Sequence, residues 1–150
     1  MSEKNKVSRP WVTAALLFVV ALLPRIVGLH RFLTSDENTN IFFAGSDVIA
    51  AFLRGDLRGT YWHFYPGVTM SWLDAIGMTT QYALDSLRTS TPPFVDYIYG
   101  DILDLLVANR LPYAILAALA VPALYLLARQ VMPNGLALLG ALFLAFDPFY

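Results

Sequence analysis

The chain contains no cysteine and only two histidines, His30 and His63. Disulfides, thiolate metal sites and cysteine nucleophiles are therefore excluded, and any metal would have to be held by oxygen or imidazole. Charge is scarce as well: Asp, Glu, Lys and Arg make up 14% of the 150 residues, with a net formal charge of -1. The ten basic residues are scattered along the chain. They form no basic stripe of the kind that follows a phosphate backbone, so nucleic acid is not an expected partner. Also missing are a glycine-rich phosphate loop, a Gly-x-Ser-x-Gly elbow and a His-Glu-x-x-His pair, which leaves soluble nucleotide chemistry without a seat.

Apolar side chains are what the sequence has in excess. They account for 57% of the residues, and the mean hydropathy is +0.56. A globular domain of this size has no place for so much apolar surface unless part of it faces something other than water. Residues 11–29 form a first apolar run, about 28 Å long as a helix at roughly 1.5 Å per residue, enough to span a bilayer. No small-x-small cleavage pattern follows it, because the sequence continues Leu22-Leu23-Pro24-Arg25-Ile26, so it reads as an anchor that stays. Residues 110–129 form a second run, bracketed by Arg110 and Arg129, whose side chains can snorkel to the interfaces. A third begins after the turn signal Met132-Pro133-Asn134-Gly135, and 135–150 reads as a span cut short.

Lys4, Lys6 and Arg9 precede the first span. The long segment 30–109 instead carries Asp36, Glu37, Asp47, Asp56, Asp74, Asp85, Asp96, Asp101 and Asp104 against Arg31, Arg54, Arg58 and Arg88. The positive-inside rule then makes 1–10 a cytoplasmic tail and 30–109 an outer loop. The expected fold is an all-α, polytopic membrane helical protein with interfacial juxtamembrane helices in the first outer loop. Its expected location is the plasma or inner membrane, multi-pass, with the N-terminus cytoplasmic. Two amphipathic helices are expected in the loop, at about 36–54 and 68–88. In the second, Trp72, Leu73, Ile76, Ala83, Leu84 and Leu87 share one side, and Asp74, Gln81, Asp85 and Arg88 the other, as in a helix lying half in lipid with its charged side in water. An aspartate at position 74 argues against a further span there, since it would cost about 2.5–3.5 kcal/mol near mid-bilayer.

The sharpest chemical feature is Thr34-Ser35-Asp36-Glu37-Asn38. A carboxylate here could take the proton of an attacking hydroxyl, with its neighbour orienting it or helping to hold a divalent cation. The same residues also read as a capping box, Thr34-x-x-Glu37, with acids opposing a helix dipole. The two readings are compatible. His63, in the aromatic stretch Trp62-His63-Phe64-Tyr65, could bind phosphate or metal, or could simply pack with one hydrogen bond. Arg25 and Arg110 lie at the outer ends of the first two spans, where together they could neutralise a lipid phosphate or serve separately as interfacial anchors. Asp101-x-x-Asp104 reads as a solvated face.

The order of these features resembles the amino-terminal module of the GT-C glycosyltransferases, the group that includes protein O-mannosyltransferases and aminoarabinose lipid A transferases. The residues that carry the likeness are Leu23-Pro24-Arg25-Ile26-Val27-Gly28-Leu29, Asp36-Glu37, Arg54-Gly55-Asp56, Tyr65-Pro66-Gly67-Val68, Asn109-Arg110-Leu111-Pro112 and Tyr125-Leu126-Leu127-Ala128-Arg129. Where some relatives have a basic residue after the acidic pair and a Glu-Lys-Pro before the second interfacial helix, this chain has Asn38-Thr39-Asn40 and Phe64-Tyr65-Pro66.

The resemblance implies transfer of a sugar from a polyprenyl-phosphate carrier to an acceptor at the outer face. Asp36 would act as base and Glu37 would support it. His63 and Tyr65 would line the cleft, and Arg110 would match the family's Arg-Leu-Pro arginine. It also implies that further spans or a partner subunit complete the site, so that this chain by itself is expected to be inactive. The other expectation is a non-enzymatic membrane protein whose outer loop binds a lipid or protein partner.

Overall fold

In the computed structural model, residues 10–31, 42–61, 67–101 and 103–147 are described. Every regular element among the described residues is helical: α1 (Pro10–Ile26), α2 (Phe42–Leu53), a 3-10 turn (Arg58–Thr60), α3 (Val68–Ser86), α4 (Phe94–Ile98), α5 (Leu106–Ala128) and α6 (Asn134–Ala145). The all-α expectation therefore holds for them. They form two compact units. One contains α1, the 114–128 part of α5, and α6; the other runs from Gly28 to Tyr113 and includes the head of α5.

Of the described helices, α5 is the one long and apolar enough to cross a membrane. Its 23 residues extend about 34 Å at 1.5 Å per residue, against a hydrocarbon core of about 30 Å. Only 28% of its apolar window is buried inside the protein, far less than a core helix of a soluble domain would bury. The other two apolar helices are shorter, 17 residues in α1 and 12 in α6. Helix α1 stops at Ile26, three residues before the end of the apolar run, for a local reason. Gly28 takes a left-handed conformation (φ 90°), which few other residues tolerate, and the Arg31 N–H closes a turn onto the Gly28 carbonyl at 2.8 Å.

The first unit is packed through small residues. Ala14, Leu17 and Ala21 of α1 meet Ala118, Val121 and Tyr125 of α5 and Ala137, Ala141 and Ala145 of α6 in one cluster. The alanines of α6 recur every four residues, so they lie on one face and let backbones approach closely. Many large apolar side chains point outward, among them Trp11, Leu16, Leu23, Leu119, Leu127 and Phe143. Water-soluble helices place leucine and phenylalanine inside and leave small or polar residues out. This unit departs from that arrangement in part, with alanines filling most of its core and many leucines outside. Arg25 closes one end of it, its Nη1 donating to the carbonyls of Ala21 (2.7 Å) and Ala145 (3.0 Å). Ala145 ends α6, so the guanidinium meets the negative end of that helix's dipole.

In the second unit, α2 and α3 cross closely at Gly45, where a Cβ would stand 2.5 Å from the Cβ of Asp74 and 3.2 Å from the Ala75 nitrogen. Val48, Ile49, Ala75, Met78, Ile98 and Leu105 form the apolar core, and the Ser46 hydroxyl donates to the Ile98 carbonyl, tying α4 to α2. Helix α4 was not foreseen from the sequence, which marks that region as a Pro92-Pro93 breaker. Those prolines end the preceding turn, and Pro93 then stands at the N-cap of α4.

Helix α3 corrects one expectation. Its apolar side does face outward at Trp72, Ile76, Leu84 and Leu87, but Asp74 is fully buried against protein and does not face water. Asp101 and Asp104 lie in a turn and not on a helical face, with the Asp101 carboxylate accepting the Leu103 N–H at 2.8 Å.

Tyr97 of α4 donates its hydroxyl to Asp85 of α3 at 2.6 Å. Burial, followed by the hydrogen bond to and the charge of Asp85, pushes the phenol up to about 12 from its ordinary 10.0. A pKa raised on folding means that the folded state holds the proton more tightly. The stabilisation is thus complete below about pH 10 and is lost as pH rises toward 12. An alkaline titration followed by tyrosinate absorbance should show a late-ionising component that is missing in Tyr97→Phe. An unchanged titration curve in that variant would rule out the Tyr97–Asp85 bond.

Candidate functional site

Two side chains near the head of α5, Arg110 and Tyr113, make polar contacts with other parts of the second unit. Arg110, in the second turn of the helix, uses one guanidinium nitrogen, Nη1, to donate to the carbonyls of Leu29 and Arg31, both at 2.7 Å. A charged donor on two backbone acceptors is a strong clamp. It fixes the chain just after the Gly28 turn, five residues before Asp36. One turn further along α5, the Tyr113 hydroxyl lies 2.7 Å from Asp74 Oδ1 and 2.8 Å from the Met70 carbonyl. Both partners belong to α3, which starts next to the segment that contains His63 and Tyr65. The first three turns of α5 therefore hold the stems of both stretches that carry the sequence's candidate chemistry.

Asp36, Glu37, His63 and Tyr65 themselves lie outside the described residues, as does the proposed cap at Thr34. Of the other two candidates, Arg110 belongs to the second unit and grips backbone carbonyls of 29 and 31, while Arg25 belongs to the first and grips those of Ala21 and Ala145. Among the described residues no three histidine, aspartate or glutamate side chains converge as they would around a metal ion.

The residue that the sequence reading undervalued is Asp74. A carboxylate buried among apolar helices is costly unless it is hydrogen-bonded, and Tyr113 supplies such a bond. The signal was present: an acid set in the run Ser71-Trp72-Leu73-Asp74-Ala75-Ile76, with Gly77 three residues on. Gly77 marks the second close crossing of this unit, because a Cβ there would overlap the carbonyl oxygen of Ala108 and stand 3.0 Å from Pro112 Cγ. Pro112 lacks the N–H that would otherwise bond Ala108, four residues earlier, so this carbonyl is turned toward α3. A buried acid with a named hydroxyl partner is a functional candidate. It can carry a proton, or it can lock α3 onto α5.

No family model matches the chain, and no curated protein or solved structure matches it either.

Proposed function

We propose that this chain is the amino-terminal module of a multi-pass membrane glycosyltransferase of the GT-C type, with its N-terminus in the cytoplasm and the segment 30–109 at the outer face. The observation that carries the reading is the clamp from Arg110 to the carbonyls of Leu29 and Arg31. It ties the stem of the Asp36-Glu37 stretch to the head of α5, the helix with membrane-spanning length and composition. The outward-facing apolar side chains of α1, α5 and α6 support the bilayer as surroundings.

In the proposed reaction an acceptor hydroxyl attacks the anomeric carbon of a polyprenyl-phosphate-linked sugar. The bond from that carbon to the phosphate oxygen breaks, polyprenyl phosphate leaves, and Asp36 takes the hydroxyl proton with Glu37 in support. His63, Tyr65 and Arg110 would shape or hold the cleft, and a divalent cation could assist at the phosphate. The test is Asp36→Asn in the protein expressed from its full reading frame in native membranes. Sugar transfer should fall by at least about 10²-fold, the scale of general-base loss, with membrane insertion unchanged. Wild-type turnover would remove Asp36 from the mechanism.

A second reading is a membrane protein whose outer loop binds a lipid without catalysis. It is favoured by the apolar groove between α2 and α3.

A further inference from the structure

The Tyr113 hydroxyl has one proton and two acceptors. Its oxygen stands 2.7 Å from Asp74 Oδ1 and 2.8 Å from the Met70 carbonyl oxygen, and each distance is that of a hydrogen bond. If Asp74 is charged, the hydroxyl can donate to only one of the two. The carboxylate is the stronger acceptor, so the Met70 carbonyl then faces the lone pairs of the phenol oxygen. If Asp74 carries a proton, both contacts are hydrogen bonds at once, with the acid donating to Tyr113 and Tyr113 donating to Met70. Three oxygens in a row need two protons, and Tyr113 brings one.

The site suits an exchangeable proton. Asp74 is fully buried, and a proton on it removes the cost of holding a charge away from water. From α2 it is met by Gly45, where a Cβ would stand 2.5 Å from the Asp74 Cβ, so backbone packing holds the carboxyl in place. Asp47, the ionisable residue nearest Gly45 in α2, is exposed and accepts the Tyr99 hydroxyl at 3.1 Å. On α5, Tyr113 faces the carboxyl, while Arg110 directs Nη1 to the carbonyls of Leu29 and Arg31. On α3 itself the residues one turn either way, Met70, Ser71, Gly77 and Met78, bring no charge.

What such a proton would control is the start of α3. The helix begins after Gly67, which is left-handed (φ 98°), and has no side-chain cap. The Ser71 hydroxyl donates back to the Gly67 carbonyl at 3.2 Å within the same turn, whereas Tyr113 reaches Met70 from another helix. The stretch 62–66 leads directly into this turn.

We propose that Asp74 is a proton-binding site and that its proton latches the first turn of α3 to α5. Uptake of a proton from water requires no heavy atom to move: Asp74 Oδ1 gains a hydrogen that turns to Tyr113, and the Tyr113 O–H swings from the carboxylate to the Met70 carbonyl. Release reverses both steps and leaves the turn with the bonds of its own helix. The folded chain gains a bond with this proton and the unfolded chain does not, so the latch is closed at acidic pH and opens as pH rises. The proposal holds whether or not the chain transfers sugar.

Hydrogen exchange of the full chain in detergent reads the latch. Rates at the amides of 71–74 are each divided by that of an unstructured peptide at the same pH, from about pH 4 to about pH 8, a range that starts at ordinary carboxylates. In the wild type these amides should exchange several-fold more slowly at the acidic end. Asp74→Asn should be slow throughout, because its amide donates to Tyr113 as the protonated acid does, and Tyr113→Phe should be fast throughout. Infrared difference spectra, wild type minus Asp74→Asn, should hold the carbonyl band of a neutral carboxylic acid that fades as pH rises. A flat wild-type profile, a pH response that survives in either variant, or a difference spectrum without that band would overturn the assignment. Helical circular dichroism checks the fold. Should Asp74→Asn fail to fold, Tyr113→Phe decides alone, and a response as large as that of the wild type would overturn the latch.

Discussion

Gly77→Val should cost the protein most of the packing between α3 and the head of α5. The crossing is made possible by two complementary departures from an ordinary helix. Pro112 removes the hydrogen-bond donor for the Ala108 carbonyl, and Gly77 removes the side chain that would collide with that carbonyl. Any Cβ at position 77 meets backbone on one side and a proline ring on the other, and neither can swing away as the end of a flexible side chain would. Overpacking of this kind costs about 1–3 kcal/mol for small additions and more for a branched one. Unfolding in detergent, followed by tryptophan fluorescence, should show Gly77→Ala destabilised and Gly77→Val more so. Gly140→Ala, at a helical glycine with open space around it, should be neutral or slightly stabilising through helix propensity. Equal stability of the Gly77 and Gly140 variants would mean that α3 and α5 do not cross at that point.

The pair Asp74 and Tyr113 should show the second large effect. Tyr113→Phe deletes a hydroxyl whose single proton is shared between the buried Asp74 carboxyl and the Met70 carbonyl, without changing the shape of the ring. Hydrogen bonds to charged groups contribute about 1.5–3 kcal/mol, and a loss in that range is expected. Asp74→Asn keeps an acceptor for the hydroxyl but gives up the charge, so its effect should be smaller than that of Asp74→Ala. The informative measurement is a double-mutant cycle. If the two groups act through each other, Tyr113→Phe should cost much less in the Asp74→Ala background than in the wild type, with a coupling of at least about 1 kcal/mol. Strict additivity would separate them, leaving Asp74 to be explained by other neighbours. Because Tyr113 also touches Met70, at the start of α3, the same variants should loosen the entry to that helix, which proteolysis in detergent can read.

Much of the helical layout was legible because it is written in local signals. The apolar run after Arg110 and the Pro133-Asn134-Gly135 turn mark α5 and α6 to within a few residues, since a helix in an apolar setting needs continuous hydrophobic sequence and ends where proline or glycine interrupts it. The start of α5 at Leu106 lies four residues before the expected boundary, because the charge of Arg110 marks an interface and does not mark a helix end. Helix α3 was expected with nearly its observed length. What periodicity could not supply was the surroundings of each side. A hydrophobic stripe says that two faces differ, and the habit of soluble proteins assigns the charged one to water. Here Trp72 and Ile76 lie outward, while Asp74 on the other side packs between α2 and α5.

The roles of the arginines divide in the same way. That Arg25 and Arg110 cap the ends of apolar runs is visible in the sequence. That each spends its guanidinium on backbone carbonyls from distant parts of the chain, Ala145 in one case and Leu29 with Arg31 in the other, depends on contacts between residues 120 and about 80 positions apart.

The sequence by itself determined that the described part of the chain is helical, that the chain is unusually rich in apolar residues, and that its acids are concentrated between the first two apolar runs. Those are properties of composition and local order, and they hold whatever the neighbours of each residue turn out to be. Only the tertiary structure decided that Asp74 is an interior group bonded to Tyr113 and that glycines at 45 and 77 let three helices meet. The reason is that burial and pairing belong to residues remote in sequence, and no periodicity along one helix says which other helix will lie against it.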